Sequence, residues 1–383
     1  MQSFTKTNKK NVLLYLGKFP GYGFDVDGGS ILARQLIDSL KMHCNLSLVF
    51  IRKRKETYID PYVKNITYVE YKNPNENKFL RRLQNLGTNR SAIGDYDKYD
   101  TIIVAHVSKL FGFEDMPISF WNKTILFPMF CTKSYELAGE FVPLEYTDQE
   151  RFVINHVKTI ITPSEIEMKE LMTFYQIQQK KIRVVYRGIN PLFKTTNKTH
   201  NLDKPQLVYI GSIKKQKNNI DALRVLYLLV KSGIDASINL VCTIHDNELF
   251  NELLSFIQEH QLNERVNFYF EQTQEQVAEI VVNSDINLSV SNWETFGRGI
   301  FEGISCGLPT FVFSKLEGVR IICQNNDGVY FATDIEDMAQ EIKRSIKSPT
   351  IYYHMSKSLH SLAEKLSYDR EQKHLIDILL NLN

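Results

Sequence analysis

The feature that most constrains this chain is a rhythm: apolar runs of strand length, separated by longer amphipathic segments, occur in one series, break off, and begin again. In the first series the runs 12–16, 46–51, 101–105, 124–127, 159–161 and 182–185 read as buried parallel strands. Continuous apolar character, rather than alternation, is what a strand covered on both faces requires. Segment 31–40 carries apolar residues at helical spacing, and Ser164-Glu165-Ile166-Glu167 has the Ser-x-x-Glu form that opens a helix running to about Tyr175. After Gly188-Ile189-Asn190-Pro191 the pattern gives way to the polar stretch 194–205. It then restarts with strands 206–210, 237–241, 266–268, 285–289 and 310–313, helices 218–230 and 246–259, and a helix opened by Thr273-Gln274-Glu275-Gln276. Such alternation calls for parallel sheets with helices on both faces. The expected fold class is α/β, with two Rossmann-like doubly wound domains facing a cleft. The expected boundaries are 1–190, a linker 191–205, a second domain 206–367, and a terminal amphipathic helix in 368–383 that packs back at the domain junction.

Composition agrees with two domains. A chain of 383 residues exceeds one ordinary core, and 43% hydrophobic with 23% charged residues is the balance of a soluble globular protein. No run approaches the roughly 18 apolar residues that cross a bilayer. The polar start and the short apolar run after it do not make a signal peptide, so a cytoplasmic location is expected. The five cysteines (Cys44, Cys131, Cys242, Cys306, Cys323) show neither a CxxC pair nor metal-ligand spacing, which suits reduced thiols. The net charge of +2 hides an asymmetry: residues 1–200 hold 29 Lys+Arg against 20 Asp+Glu, and residues 201–383 hold 17 against 24. A basic half facing an anionic partner and a plainly solvated charge distribution are both open on this count alone.

In an open parallel sheet, ligands collect beyond the carboxyl ends of the strands, where helix N-termini offer unpaired amides. Three loops follow strands in that way. The first, from Gly17, holds five glycines and ends in Gly28-Gly29 before a helix, so its amides can point at a diphosphate. It is not a GxGxxG fingerprint, and a plain flexible loop reads the same. The second is Gly211-Ser212-Ile213-Lys214-Lys215-Gln216-Lys217-Asn218, where a glycine and three lysines precede a helix and suit an anion. A solvated lysine cluster has the same appearance. The third runs Ser291-Asn292-Trp293-Glu294-Thr295-Phe296-Gly297-Arg298-Gly299-Ile300-Phe301-Glu302. Two carboxylates eight residues apart, on either side of a helix start, can accept several hydroxyls of one polyol.

That third stretch, continued through Gly307 and Pro309, resembles the Glu-x7-Glu motif of the retaining glycosyltransferases of family 4, which have the GT-B fold. Gly28-Gly29 lies where that family has its N-terminal diphosphate loop, Ser164-Glu165 matches a helix start, and Arg187-Gly188-Ile189-Asn190 is similar to its Asn-Gly-Val-Asp. The resemblance covers nearly the whole chain and is most specific in the C-terminal half. It implies transfer of a hexose-type sugar from a nucleotide diphosphate sugar, with retention and without a metal. Glu302 would hold the ribose and Glu294 the donor sugar hydroxyls; Thr295, Phe296 and Gly297 line the sugar, and Lys217 neutralises the diphosphate beside Gly211 and Ser212. Asp25-Val26-Asp27 has metal-site spacing but precedes the glycine pair and is not expected to bind a metal. The chain departs from the family twice. Ser212 stands where an arginine is common, with Lys214, Lys215 and Arg298 as substitutes. No histidine occurs in Pro128-Met129-Phe130-Cys131, which leaves His106 as the nearest catalytic candidate.

For the acceptor side, the run from Arg52 to Lys55 and segment 76–90 suggest contact with an anionic membrane surface. In the latter, Phe79, Leu80, Leu83 and Leu86 form a stripe flanked by Lys78, Arg81, Arg82 and Arg90. A core-facing helix with a solvated basic face fits the same residues. The expected acceptor is a glycan or lipid-linked molecule at the inner face of the membrane, as in cell-surface polysaccharide synthesis. No nucleic-acid partner is expected, because no recognition module accompanies the basic residues. A non-catalytic glycosyltransferase-like subunit and a sugar-nucleotide epimerase of the same fold are the competing readings.

Overall fold

The structure, a computed structural model, describes residues 9–16, 28–51, 60–69, 80, 86–128, 132–137, 141–196, 200–294 and 296–381. Residues Asp25 and Asp27, the run from Arg52 to Lys55, most of segment 76–90, Met129 to Cys131 and Thr295 lie outside the described residues. The chain divides into two compact units. Among the described residues, one holds those up to Val185 together with those from Gln372 onward, and the other spans Tyr186–Glu371. The division therefore falls just before the expected boundary at 190. Residues 191–205, read as a linker, are part of the second unit. Phe193 is buried in that unit's core, and His200 Nδ1 lies 2.9 Å from Asp285 Oδ1.

The first unit contains strands β1 (Asn11–Leu16), β2 (Asn45–Ile51), β3 (Val63–Val69), β4 (Thr101–Ala105), β5 (Thr124–Phe127), β6 (Thr159–Thr162) and β7 (Ile182–Val184). They form one sheet in the order β3-β2-β1-β4-β5-β6-β7, parallel throughout. Successive residues of β1 serve opposite faces: Leu13 and Tyr15 enter one core, Val12, Leu14 and Leu16 the other. Leu375 and Leu379, from the final helix Tyr368–Asn381, are buried in the second of these cores.

The second unit holds β8 (Gln206–Ile210), β9 (Ser237–Cys242), β10 (Val266–Phe270), β11 (Ile286–Ser289), β12 (Thr310–Phe313) and β13 (Val329–Ala332). Their order is β10-β9-β8-β11-β12-β13, again parallel throughout. This is the 3-2-1-4-5-6 order of a doubly wound sheet, with its reversal between β8 and β11. Leu207 and Tyr209 pack on one face, Val208 on the other with Phe301, Ile304 and Val312. The capping signals act locally as the sequence suggests. Ser164 Oγ accepts from the Glu167 amide at 3.3 Å, and Thr273 and Gln276 form a reciprocal box over helix Gln274–Val282.

Candidate functional site

Because the sheet order reverses between β8 and β11, the loops after these two strands leave in different directions and open a crevice at their carboxyl ends. Cross-loop hydrogen bonds hold the two loops to each other. The Asn292 amide donates to the Gln216 carbonyl at 2.8 Å and its side chain to the Lys215 carbonyl at 3.0 Å. Gln216 Nε2 returns a bond to the Trp293 carbonyl at 3.0 Å, and Asn218 Nδ2 reaches the Val290 carbonyl at 3.2 Å. The crevice wall is thus fixed by one backbone bond and by the side-chain amides of Asn292, Gln216 and Asn218 on backbone carbonyls.

Two charges meet there. Lys217 Nζ is paired with Glu294 Oε1, and Ser291 Oγ donates to the same oxygen at 2.7 Å. Lys217 is itself held by its backbone, since the Tyr209 hydroxyl donates to its carbonyl at 2.7 Å. Burial together with the Glu294 charge pushes the Tyr209 hydroxyl above its ordinary value, so it stays a neutral donor. Glu302 is 3% exposed, and burial pushes its carboxyl up to about 7 against the opposing pull of Arg298 and Lys217. Lys217, Glu294, Arg298 and Glu302 therefore form one cluster of alternating charge, assembled from two loops and a helix.

Helix Arg298–Ser305 sets the position of Glu302. Its N-cap Gly297 has φ 84°, a left-handed conformation that a side chain makes costly. A Cβ on Gly299 would lie 2.7 Å from the Ile210 carbonyl, so only glycine lets this helix start against the end of β8. Asn287, buried in β11, donates to the Ile300 carbonyl at 2.9 Å and to Thr310 Oγ1 at 3.1 Å, tying helix to sheet. Phe296 and Phe301 pack with ring centroids 4.7 Å apart beneath the loop.

The remaining candidates are distributed differently. The Gly211 amide donates to the Val241 carbonyl at 3.0 Å, so what Gly211 offers a ligand is the absence of a side chain rather than its amide. Ser212 beside it is half-buried. Gly28 and Gly29 form the first turn of helix Gly28–Leu40 in the first unit. In the same unit His106 follows β4 with φ 85°, 4% exposed. Its Nδ1 accepts the Ser108 amide at 3.1 Å, with Ser108 Oγ at 2.8 Å. An imidazole whose Nδ1 accepts an amide carries its proton on Nε2, which makes it a hydrogen-bond donor rather than a base. Among the described residues no group of three or more His, Cys, Asp or Glu could hold a metal ion. Burial pushes the thiols of Cys242, Cys306 and Cys323 up to about 12 and that of Cys44 to about 11, so none of the four is a ready nucleophile.

The sequence singles out Lys217, Glu294 and Glu302, which the structure brings together, but not the groups that hold them. Tyr209 reads as a core aromatic, Asn287 as an odd polar residue in a strand, and both act on backbone carbonyls that no spacing rule reveals.

Residues 193–365 match the family model described as glycosyl transferases group 1. N-acetyl-alpha-D-glucosaminyl L-malate synthase of Bacillus anthracis is 23% identical over 207 residues, which are 53% of this chain and 50% of its own length. The chain thus aligns with about half of that relative. The solved sucrose-phosphate synthase of Thermosynechococcus elongatus superposes with a TM-score of 0.81 over 98% of this chain and 99% of its own, at 16% identity. HepE of Anabaena, solved in complex with UDP and glucose, gives 0.74 over 97% and 99%, at 13% identity. The two parallel-sheet α/β units are those of the GT-B fold.

Proposed function

We propose that the chain is a retaining, metal-independent glycosyltransferase that moves a hexose-type sugar from a nucleotide diphosphate sugar to a glycan or lipid-linked acceptor. The observation that carries this reading is the Lys217–Glu294 pair at the β8/β11 reversal, with buried Glu302 in the adjoining helix. Loss of a nucleoside diphosphate builds negative charge on the departing phosphate. A fixed ammonium and the head of helix Arg298–Ser305 lower that barrier because they need not reorganise. An arriving diphosphate competes with Glu294 for Lys217. Glu294, still oriented by Ser291, is then released to accept hydroxyls of the transferred sugar. Ionised Glu302 suits the two hydroxyls of a ribose. The acceptor hydroxyl gives its proton to the departing phosphate oxygen as the new glycosidic bond forms on the same face. A trapped covalent glycosyl-enzyme would overturn that step. The name of the Bacillus anthracis relative and the UDP and glucose bound to HepE favour a UDP-linked gluco-configured donor, with or without an N-acetyl group.

A thermal-shift series with nucleoside diphosphates and their sugars tests the reading. A ligand that binds only the folded chain raises Tm, and at one hundred times its Kd this amounts to about 2.7 kcal/mol. The expected outcome is a shift with one nucleotide family, lost in Glu302→Ala. No shift with any of them would favour a non-catalytic subunit, and interconversion of the free donor an epimerase.

A further inference from the structure

A cavity of about 290 Å³ lies against the same two loops, yet neither Lys217, Glu294 nor Glu302 lines it. Its apolar wall is Ile213 and Ile220 with Leu249 and Leu253 of helix Asn247–Glu259. Asn219 stands out in its polar part. This residue opens helix Asn219–Lys231, is only 5% exposed, and lines the cavity. Its side chain makes no hydrogen bond to any other described residue, so its amide is left to the solvent or ligand that the cavity admits.

The helix head beside it is open. No side chain caps it, whereas Asp246, Thr273, Asp334 and Ser348 cap the helices they precede. The carbonyls of Lys215, Gln216 and Lys217 are drawn away by Asn292 and Tyr209, so the entering turn does not close over the helix. Lys214 and Lys215 line the same cavity, and Glu252, exposed on the neighbouring helix, is the one carboxylate on its rim. Two ammonium groups at the positive end of a 13-residue helix match a dianion better than a single carboxylate.

We propose that this cavity binds a small phosphate monoester. The phosphate lies at the helix head between Lys214 and Lys215, and the body of the ligand rests on Ile220, Leu249 and Leu253 with a polar group on the Asn219 amide. The site is separate from the one assigned to the donor, and its test requires no sugar transfer.

The full chain is titrated calorimetrically with inorganic phosphate, glycerol 3-phosphate, glucose 6-phosphate and AMP. At least one monoester is expected to bind saturably and more tightly than inorganic phosphate. Binding weakens by about tenfold or more in Lys215→Glu and in Asn219→Leu, and persists in Lys217→Ala. Lys215 is exposed, so Lys215→Glu remains informative even where Asn219→Leu fails to fold. Binding lost in Lys217→Ala but unchanged in Lys215→Glu would place the anion at the donor loops and overturn the proposal. So would the absence of saturable binding by all four probes. Either failure leaves the nucleotide-dependent shift of the donor site to be judged separately.

Discussion

At Glu302 the proposed role sets two requirements against each other: the residue must be buried to be rigid, and it must be ionised to accept two hydroxyls. Burial wins by enough to bring its carboxyl to about 7, above its ordinary 4.5, although Arg298 and Lys217 both favour the charge. The sign of the pH effect on binding follows. Donor affinity is highest above neutrality and falls as pH drops through about 7, by close to tenfold between pH 7.5 and 6. Calorimetric Kd values for the preferred nucleoside diphosphate over that range should show this slope in the wild type. Glu302→Gln should bind more weakly at pH 7.5 with a flat profile, and a flat wild-type profile would remove ionised Glu302 from the ribose. Stability runs the same way as for any carboxyl that folding makes harder to ionise: the contribution of Glu302 is present below 4.5 and is lost as pH rises towards 7. The spacing of Glu294 and Glu302 was legible in the sequence because a helix start lies between them. Lys217 and Tyr209 reach this loop only when β8 and β11 become neighbours, whereas Ser291 lies three residues from Glu294.

Among the elements, helix Arg298–Ser305 has the least freedom, since Gly299 lies against the Ile210 carbonyl while Asn287 holds the Ile300 carbonyl from the sheet. Gly299→Ala improves helix propensity by up to about 1 kcal/mol, yet its methyl group meets backbone that cannot turn aside. The contact is expected to dominate. The helix head lifts from β8, Glu302 moves with it, and donor Kd rises about tenfold or more while the far-UV spectrum stays unchanged. Unchanged donor affinity in this variant would show that the helix shifts without carrying the site. Among the elements that escaped the sequence reading, β3 is an edge strand that exposes Lys64, Asn65 and Thr67 and so lacks an unbroken apolar run, whereas β13 is apolar throughout but only four residues long. Helices Ile335–Lys347 and Pro349–Lys365 are capped by Asp334 and Ser348, signals the sequence contains but whose surroundings gave no strand to anchor them.

For the molecule as a whole, the two-series rhythm was enough to announce two α/β units, but not where one yields to the other. Phe193 joins the second core through contacts with residues more than a hundred positions away, and Leu375 and Leu379 join a core whose strands lie near the start of the chain. Local composition is blind to both. The charge asymmetry, by contrast, is a property of the whole sequence, with +9 in the first 200 residues and −7 in the remainder. No helix among the described residues is long and apolar enough to cross a membrane. The run Arg52-Lys53-Arg54-Lys55, which lies outside the described residues, is the part of the sequence that the proposed contact with an anionic membrane rests on. A basic residue near an anionic bilayer contributes about 1 kcal/mol, so replacing all four with glutamine should weaken binding to phosphatidylserine vesicles about a hundredfold or more at low salt. The same variant should keep the nucleotide-dependent thermal shift, because Lys217, Glu294 and Glu302 belong to the other unit. Vesicle binding in the wild type should also fall steeply with added salt, as exposed charges are screened within about 10 Å at 0.1 M. A wild type that ignores such vesicles would point the enzyme towards a soluble glycan acceptor, whereas vesicle binding that survives loss of the four charges would move the lipid contact to the segment 76–90.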